Sequence, residues 1–179
     1  MPFYQKYWEQ RVQNDQENTN EFRTFLNDNF SPIKCIFSYK RKTPLIALSY
    51  SMSKYGRGLS DSDHLKAAVK SPNSAEDYDY SYFSSFHEMT HNITDSLIEG
   101  PTSAIDTNHE MIETLAILFD YYLLKDRYPK KVDDYLKYTA KISGNTDKKF
   151  SKKEFLKQFP LSDDLKNKML QLLQKVKES

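Results

Sequence analysis

The sequence predicts a mainly helical α+β fold, in which a small β-hairpin or sheet packs on two central helices and a helical tail follows. Three observations predict it. Residues 74–98 lie between a helix-start pattern and a Gly-Pro stop, and residues 108–124 carry apolar side chains at the spacing of a buried helix. Residues 33–51 are rich in β-branched and aromatic side chains and change to period two. From residue 132 onward, polar turns separate short amphipathic runs. At 179 residues, one ordinary domain is expected. It divides into an N-terminal helical segment (1–30), a core (31–128) and a basic helical segment (129–179), together forming one compact body. Hydrophobic content is only 38%, so the 14% aromatic residues must supply much of the core.

In chain order, Phe3, Tyr4, Tyr7, Trp8 and Val12, then Phe22, Phe25 and Leu26, predict one or two helices over 3–29, with a break between Asn14 and Asn20. Trp8 reads as a core anchor. After Ser31-Pro32, the alternation of Ile33, Cys35 and Phe37 predicts a strand. A turn over 40–44 and a second strand over 45–51 complete a hairpin. Tyr55-Gly56-Arg57-Gly58 reads as a loop; it lacks the lysine and spacing of a phosphate loop. A short helix carrying His64 is expected over 60–71. Ser74 with Asp77 marks the start of the next helix, which runs to about Ile98 and stops at Gly100-Pro101.

After a loop over 101–107, Met111, Ile112, Leu115, Leu118, Phe119 and Tyr122 give the helix 108–124 a broad apolar face. Two carboxylates, Glu110 and Glu113, lie beside that face and need an explanation, because unpaired carboxylates are rarely buried. Helices are then expected over 132–142 and 152–159, with a turn at Ser143-Gly144-Asn145 between them. A last helix begins at Ser162, with Leu165, Met169, Leu172 and Val176 as its inner stripe.

Composition excludes several classes. Residues 125–179 carry 15 Lys+Arg against 8 Asp+Glu, so the net charge of +1 divides into about +7 there and about −6 in the rest. Such a tail reads as a solvated helical surface before it reads as a nucleic-acid site. The single cysteine, Cys35, rules out an intrachain disulfide and reads as a buried, inert thiol. The first residues hold no apolar signal region, and no run approaches the roughly 18 apolar residues of a membrane span. A cytoplasmic protein without a membrane partner is expected.

The chemistry centres on His87-Glu88-Met89-Thr90-His91. On a helix, residues four apart share a face, so both imidazoles can reach one metal ion. Glu88 is placed to reach a water on that ion. With only 4 His in the chain, chance is a poor explanation. A catalytic site needs a third protein ligand and an open position. The extended histidine pattern fails, because position 94 is Thr and position 97 is Leu. Glu113 and Glu110 on the following helix are the alternatives. Asp95, one further turn along, is better suited to hold an imidazole, and Asp120 is a second candidate for that role.

The stretch HEMTHNITD resembles the thermolysin-type zinc motif, and a glutamate on a following helix is the mark of the gluzincins, zinc peptidases with two His and one Glu. Glu113-Thr114-Leu115-Ala116 is similar to their E-x-x-A pattern. Phe119 and Leu123-Leu124 resemble the small ImmA/IrrE-type members, whereas Glu110 fits the spacing of aminopeptidase-like ones. The resemblance covers residues 83–124. It implies a zincin-like catalytic core over 31–128, with zinc held by His87, His91 and Glu113, or by Glu110 in its place. It implies metal-assisted hydrolysis of a peptide or protein substrate with Glu88 as general base. An edge strand, expected in the hairpin 33–51, would hold the substrate. A transition-state donor would come from Tyr121, Tyr122, Tyr135, Tyr138 or His109. The alternative is a non-catalytic, zinc-containing binding or regulatory module with a peptide or nucleic-acid partner.

Overall fold

The computed structural model describes residues 16–52, 56–98, 105–144 and 150–179. The expected helix over 3–15 with Trp8, the stop at Gly100-Pro101 and Asn145 lie outside these residues. Seven α-helices and three strands are described: α1 (16–28), α2 (Ser31–Lys40), β1 (Thr43–Ser49), β2 (Arg57–Ser60), β3 (His64–Lys70), α3 (Tyr78–Thr94), α4 (Ile105–Arg127), α5 (Val132–Ile142), α6 (Lys152–Gln158) and α7 (Asp163–Glu178). The fold is mainly helical α+β with one small mixed sheet.

Four local expectations are corrected. The predicted strand at 33–37 is the helix α2. Pro32 sits in its first turn, where a missing N–H costs nothing, and Ile33 and Ile36 are buried at helical spacing. The predicted helix at 60–71 is instead strand β3, in which Leu65, Ala67 and Val69 are buried in alternation. Arg57 and Gly58, expected in a loop, begin β2. The break expected at 14–20 is absent over 16–20, where α1 is continuous. Smaller shifts accompany these. Ser74 makes no side-chain cap bond; Asp77 instead accepts from the Asn73 N–H at 3.2 Å. Helix α3 ends at Thr94 and a 3₁₀ turn covers Asp95–Leu97. Cys35 is half-buried, its Sγ 3.2 Å from the Tyr128 hydroxyl.

The sheet has the order β1-β3-β2, with β1 parallel and β2 antiparallel to β3. The hairpin is therefore β2–β3 rather than 33–51. The Asp61 carboxylate makes its turn, accepting from the Asp63 N–H at 2.9 Å and the His64 N–H at 2.7 Å. Helix α3 crosses β3 and β2 on one side and meets α4 and α5 on the other, while α7 packs on α2 and α4.

One apolar cluster joins all these layers, from Ile33 and Leu65 through Phe86 and Phe119 to Met169 and Val176. Helix α3 is buried almost all round although it is rich in hydroxyls. Several of those hydroxyls are satisfied within the helix, as Ser85 and Thr94 donate to the carbonyls of Ser81 and Thr90 at 2.8 and 3.1 Å. Ser81 donates to the Lys70 carbonyl of β3 at 2.9 Å, whereas the buried Tyr82 hydroxyl has no partner among the described residues. Helices α5 and α7 take the predicted bounds to within a residue. Ser162 caps α7 by accepting from the Leu165 N–H at 3.3 Å, and the Leu165, Met169, Leu172 and Val176 stripe is buried. No helix among the described residues is long and apolar enough to cross a membrane.

Because Met169 is 0% exposed, Met169→Ala should cost about 2–5 kcal/mol. Urea unfolding followed by circular dichroism reads this directly. A loss well below that range would mean that α7 is docked on the core only loosely.

Candidate metal centre

Helix α3 sets His87 and His91 one turn apart, with ring centroids 4.7 Å apart and planes at 76°. Their Nε2 atoms lie 3.2 Å from each other. Glu113 reaches across from α4, with Oε2 3.1 Å from His87 Nε2 and Oε1 3.5 Å from His91 Nε2. One ligand atom from each of the three residues lies within 4.8 Å of the others. Glu110 stands exposed on the same helix and is not part of this cluster.

The opposite face of each ring is held. His87 Nδ1 lies 3.1 Å from Asp120 Oδ2, and His91 Nδ1 lies 3.0 Å from Asp95 Oδ1. Asp120 is 0% exposed and also accepts from the Thr90 hydroxyl at 2.5 Å and the Tyr135 hydroxyl at 3.0 Å. A carboxylate can only accept, so the network assigns the proton of each neutral ring to Nδ1 and leaves a lone pair on Nε2. Two imidazole lone pairs and a carboxylate then face one another across about 3 Å, and they repel unless a cation lies between them.

That donor set fits a divalent transition metal. Two nitrogens held tetrahedrally at about 2.0–2.1 Å from one ion would be about 3.3 Å apart. The observed separation is 3.2 Å. The carboxylates on Nδ1 supply the ring orientation that metal-binding histidines ordinarily have.

The electrostatics make the same demand for positive charge. Burial opposes an imidazolium at His87, yet hydrogen bonds to Asp120 and Glu113 outweigh it and lift its pKa to about 10. At His91, burial is outweighed by Asp95 and Glu113, and the pKa rises to about 9. Burial would raise Glu113, but the two histidines hold it well below the usual carboxylate range. Glu88 is raised by burial, with His87, His91 and the Gly58 backbone N–H pulling the other way.

These groups open into a cleft of about 770 Å³. Residues 56–58 line it along with Glu88, and Ile112, Ile117, Tyr138 and Ile142 from α4 and α5 form an apolar stretch of its wall. His109 and Tyr138 line the cleft, whereas Tyr121 packs on Phe155 at 4.7 Å and Tyr135 is committed to Asp120. The strand beside the site is β2, an edge of the sheet, and not the expected hairpin 33–51, whose only strand, β1, forms the far edge.

The sequence reading missed four contributions. Thr90 and Tyr135 complete the shell of Asp120, and Gly56 and Gly58 press against Glu88. A Cβ built at Gly56 would lie 2.6 Å from Glu88 Cγ, and one at Gly58 would lie 2.6 Å from the Glu88 carbonyl oxygen. The Gly-x-Gly spacing is visible in the sequence, but Gly56 precedes β2 and nothing local shows that the segment meets Glu88 on α3. Compared with known proteins, the chain matches no family model, no curated protein and no solved structure.

Removing Asp120 would leave His87 Nδ1 without its acceptor, while the Thr90 and Tyr135 hydroxyls keep the Phe86 and Ile117 carbonyls at 3.1 and 3.2 Å. Asp120→Ala should weaken metal affinity about 10–100-fold, read by competition with a chelator. Unchanged affinity would show that the carboxylate does not set the His87 ring. A second expectation concerns protons. Both imidazoles titrate above their reference value of 6.5, so their contribution to metal-free stability is full below about pH 6.5 and is lost as pH rises through about 9 and about 10. Metal must displace those protons, so roughly one to two should be released per ion at about pH 7.5. Calorimetry in buffers of different ionisation heat measures the number, and zero release would contradict this charge state.

Proposed function

We propose that the chain is a zinc-dependent peptidase, with His87, His91 and Glu113 as ligands and Glu88 as general base. The observation that carries this reading is the convergence of His87 Nε2, His91 Nε2 and the Glu113 carboxylate beside Glu88 in an open cleft. Two imidazoles and one carboxylate with an accessible fourth side suit catalytic zinc. Bound there, zinc supplies Lewis acidity and a water of lowered pKa.

The chain's own residues account for the remaining roles. Asp120 and Asp95 fix the two rings, so the ligand nitrogens need no reorganisation. Glu88 takes the proton of the attacking water and passes it to the leaving amine nitrogen. The peptide lies extended along β2, whose outer side has no partner strand among the described residues, so main-chain pairing can align it. His109 or Tyr138, both on the cleft wall, is placed to donate to the oxygen that gains charge.

The test is Glu88→Gln. It should keep the metal and lose about 10²–10⁴-fold in kcat on a cleaved peptide. His87→Ala should lose the metal itself. Full activity in Glu88→Gln would overturn the assignment of the base. Zinc bound by the natural chain without cleavage across a broad peptide library would favour the non-catalytic binding module instead.

A further inference from the structure

We propose that the backbone of Gly56–Arg57–Gly58 is the positioning device for the Glu88 carboxylate, and that both glycines are there to let this strand close on it. The inference deepens the peptidase reading, and its rate measurements rest on that reading.

Three observations on the page lead to it. First, Glu88 lies in a slot made by residues 56–58. A Cβ at Gly56 would come within 2.8 Å of Glu88 Oε1 and 2.6 Å of its Cγ. A Cβ at Gly58 would meet the Glu88 carbonyl oxygen at 2.6 Å and Oε2 at 3.5 Å. Real Cβ atoms essentially never approach so closely, so neither position tolerates a side chain with the strand and Glu88 where they are.

Second, the register of the hairpin frees the backbone for this task. The Asp61 N–H donates to the His64 carbonyl at 3.1 Å, which makes 61–64 a hydrogen-bonded pair. Counting along the antiparallel ladder, Leu59↔Lys66 and Arg57↔Ala68 are hydrogen-bonded pairs, while Gly58↔Ala67 is not. The Gly58 N–H therefore points away from β3 and is not used by the ladder. The Glu88 carboxylate is close by, with Oε2 3.5 Å from the Cβ position of Gly58.

Third, the base needs such a device. His87 and His91 are each held by a side-chain carboxylate, whereas no side chain among the described residues donates a hydrogen bond to the carboxylate of Glu88. A long side chain one residue from a metal ligand would otherwise sample several rotamers. The glycine strand takes the place of the missing side-chain partner.

The test has two arms. The chain holds only 4 glycines, so ¹⁵N-glycine labelling gives a sparse spectrum. In the protein with and without zinc, Glu88→Ala should shift the Gly58 amide and speed its hydrogen exchange about tenfold. Gly144, which has nothing within 4 Å of its Cβ position, is the internal control. An unmoved Gly58 amide overturns the proposal whether or not the protein cleaves anything.

In the rate arm, Gly56→Ala and Gly58→Ala should lower kcat at least about tenfold, with KM and zinc content unchanged. Gly56→Ala should cost nothing further in a Glu88→Gln background, because the group it positions is already disabled. Natural kcat in Gly56→Ala, or an equal loss in both backgrounds, overturns the positioning role. Gly58→Ala meets backbone and could fail to fold; Gly56→Ala meets only a side chain and carries the arm alone in that event. If the natural chain cleaves no peptide, the peptidase reading falls, and the amide shift alone decides the proposal.

Discussion

A carboxylate that water does not reach stands at the junction of three helices. Asp120 comes from α4, accepts from His87 and Thr90 on α3, and accepts from Tyr135 on α5. A buried charge is tolerable only when its lone pairs are filled, and here they are filled from two other elements. The same bonds that settle the charge also fix the crossing of the helices and the orientation of His87. Packing and chemistry are therefore one constraint. A shift of α5 would leave Asp120 short of a donor and would release the ring it holds.

The sheet plays a narrower part. Its inner face buries Leu65, Ala67 and Val69 against the helices, and its edge strand β2 approaches α3 closely enough to touch the Glu88 backbone. Only glycine permits that distance. The cleft is thus bounded by a rigid helix pair on one side and by bare backbone on the other.

Much of this was legible in the sequence. The histidine spacing and the carboxylates of the next helix pointed to the cluster of His87, His91 and Glu113, because residues four apart on a helix share a face. Helical spacing alone left both Glu113 and Glu110 open, since both lie near the same face of α4, and only the resemblance to the E-x-x-A pattern favoured Glu113. Their separation by almost a full turn puts only Glu113 within reach. Helices α5 and α7 were readable from polar turns and apolar stripes. The region 31–71 was not. In SPIKCIF, alternation and helical spacing coincide over so short a run, and the burial of Ile36 decides for the helix. HLKAAVK contains good helix formers, but pairing on both sides, with β1 and with β2, overrides that preference. The contribution of the GRG segment depends on a tertiary approach that no local pattern encodes.

The three clustered ligands come from α3 and α4, whereas the surfaces a substrate would meet come largely from β2 and from the Tyr138–Ser143 end of α5. That end stops in a turn at Gly144, whose φ of 82° lies in the left-handed region. A change of length at that exposed helix terminus would therefore reshape what the cleft admits without moving His87, His91 or Glu113. The width of the opening and the geometry of the cluster are set by separate parts of the chain.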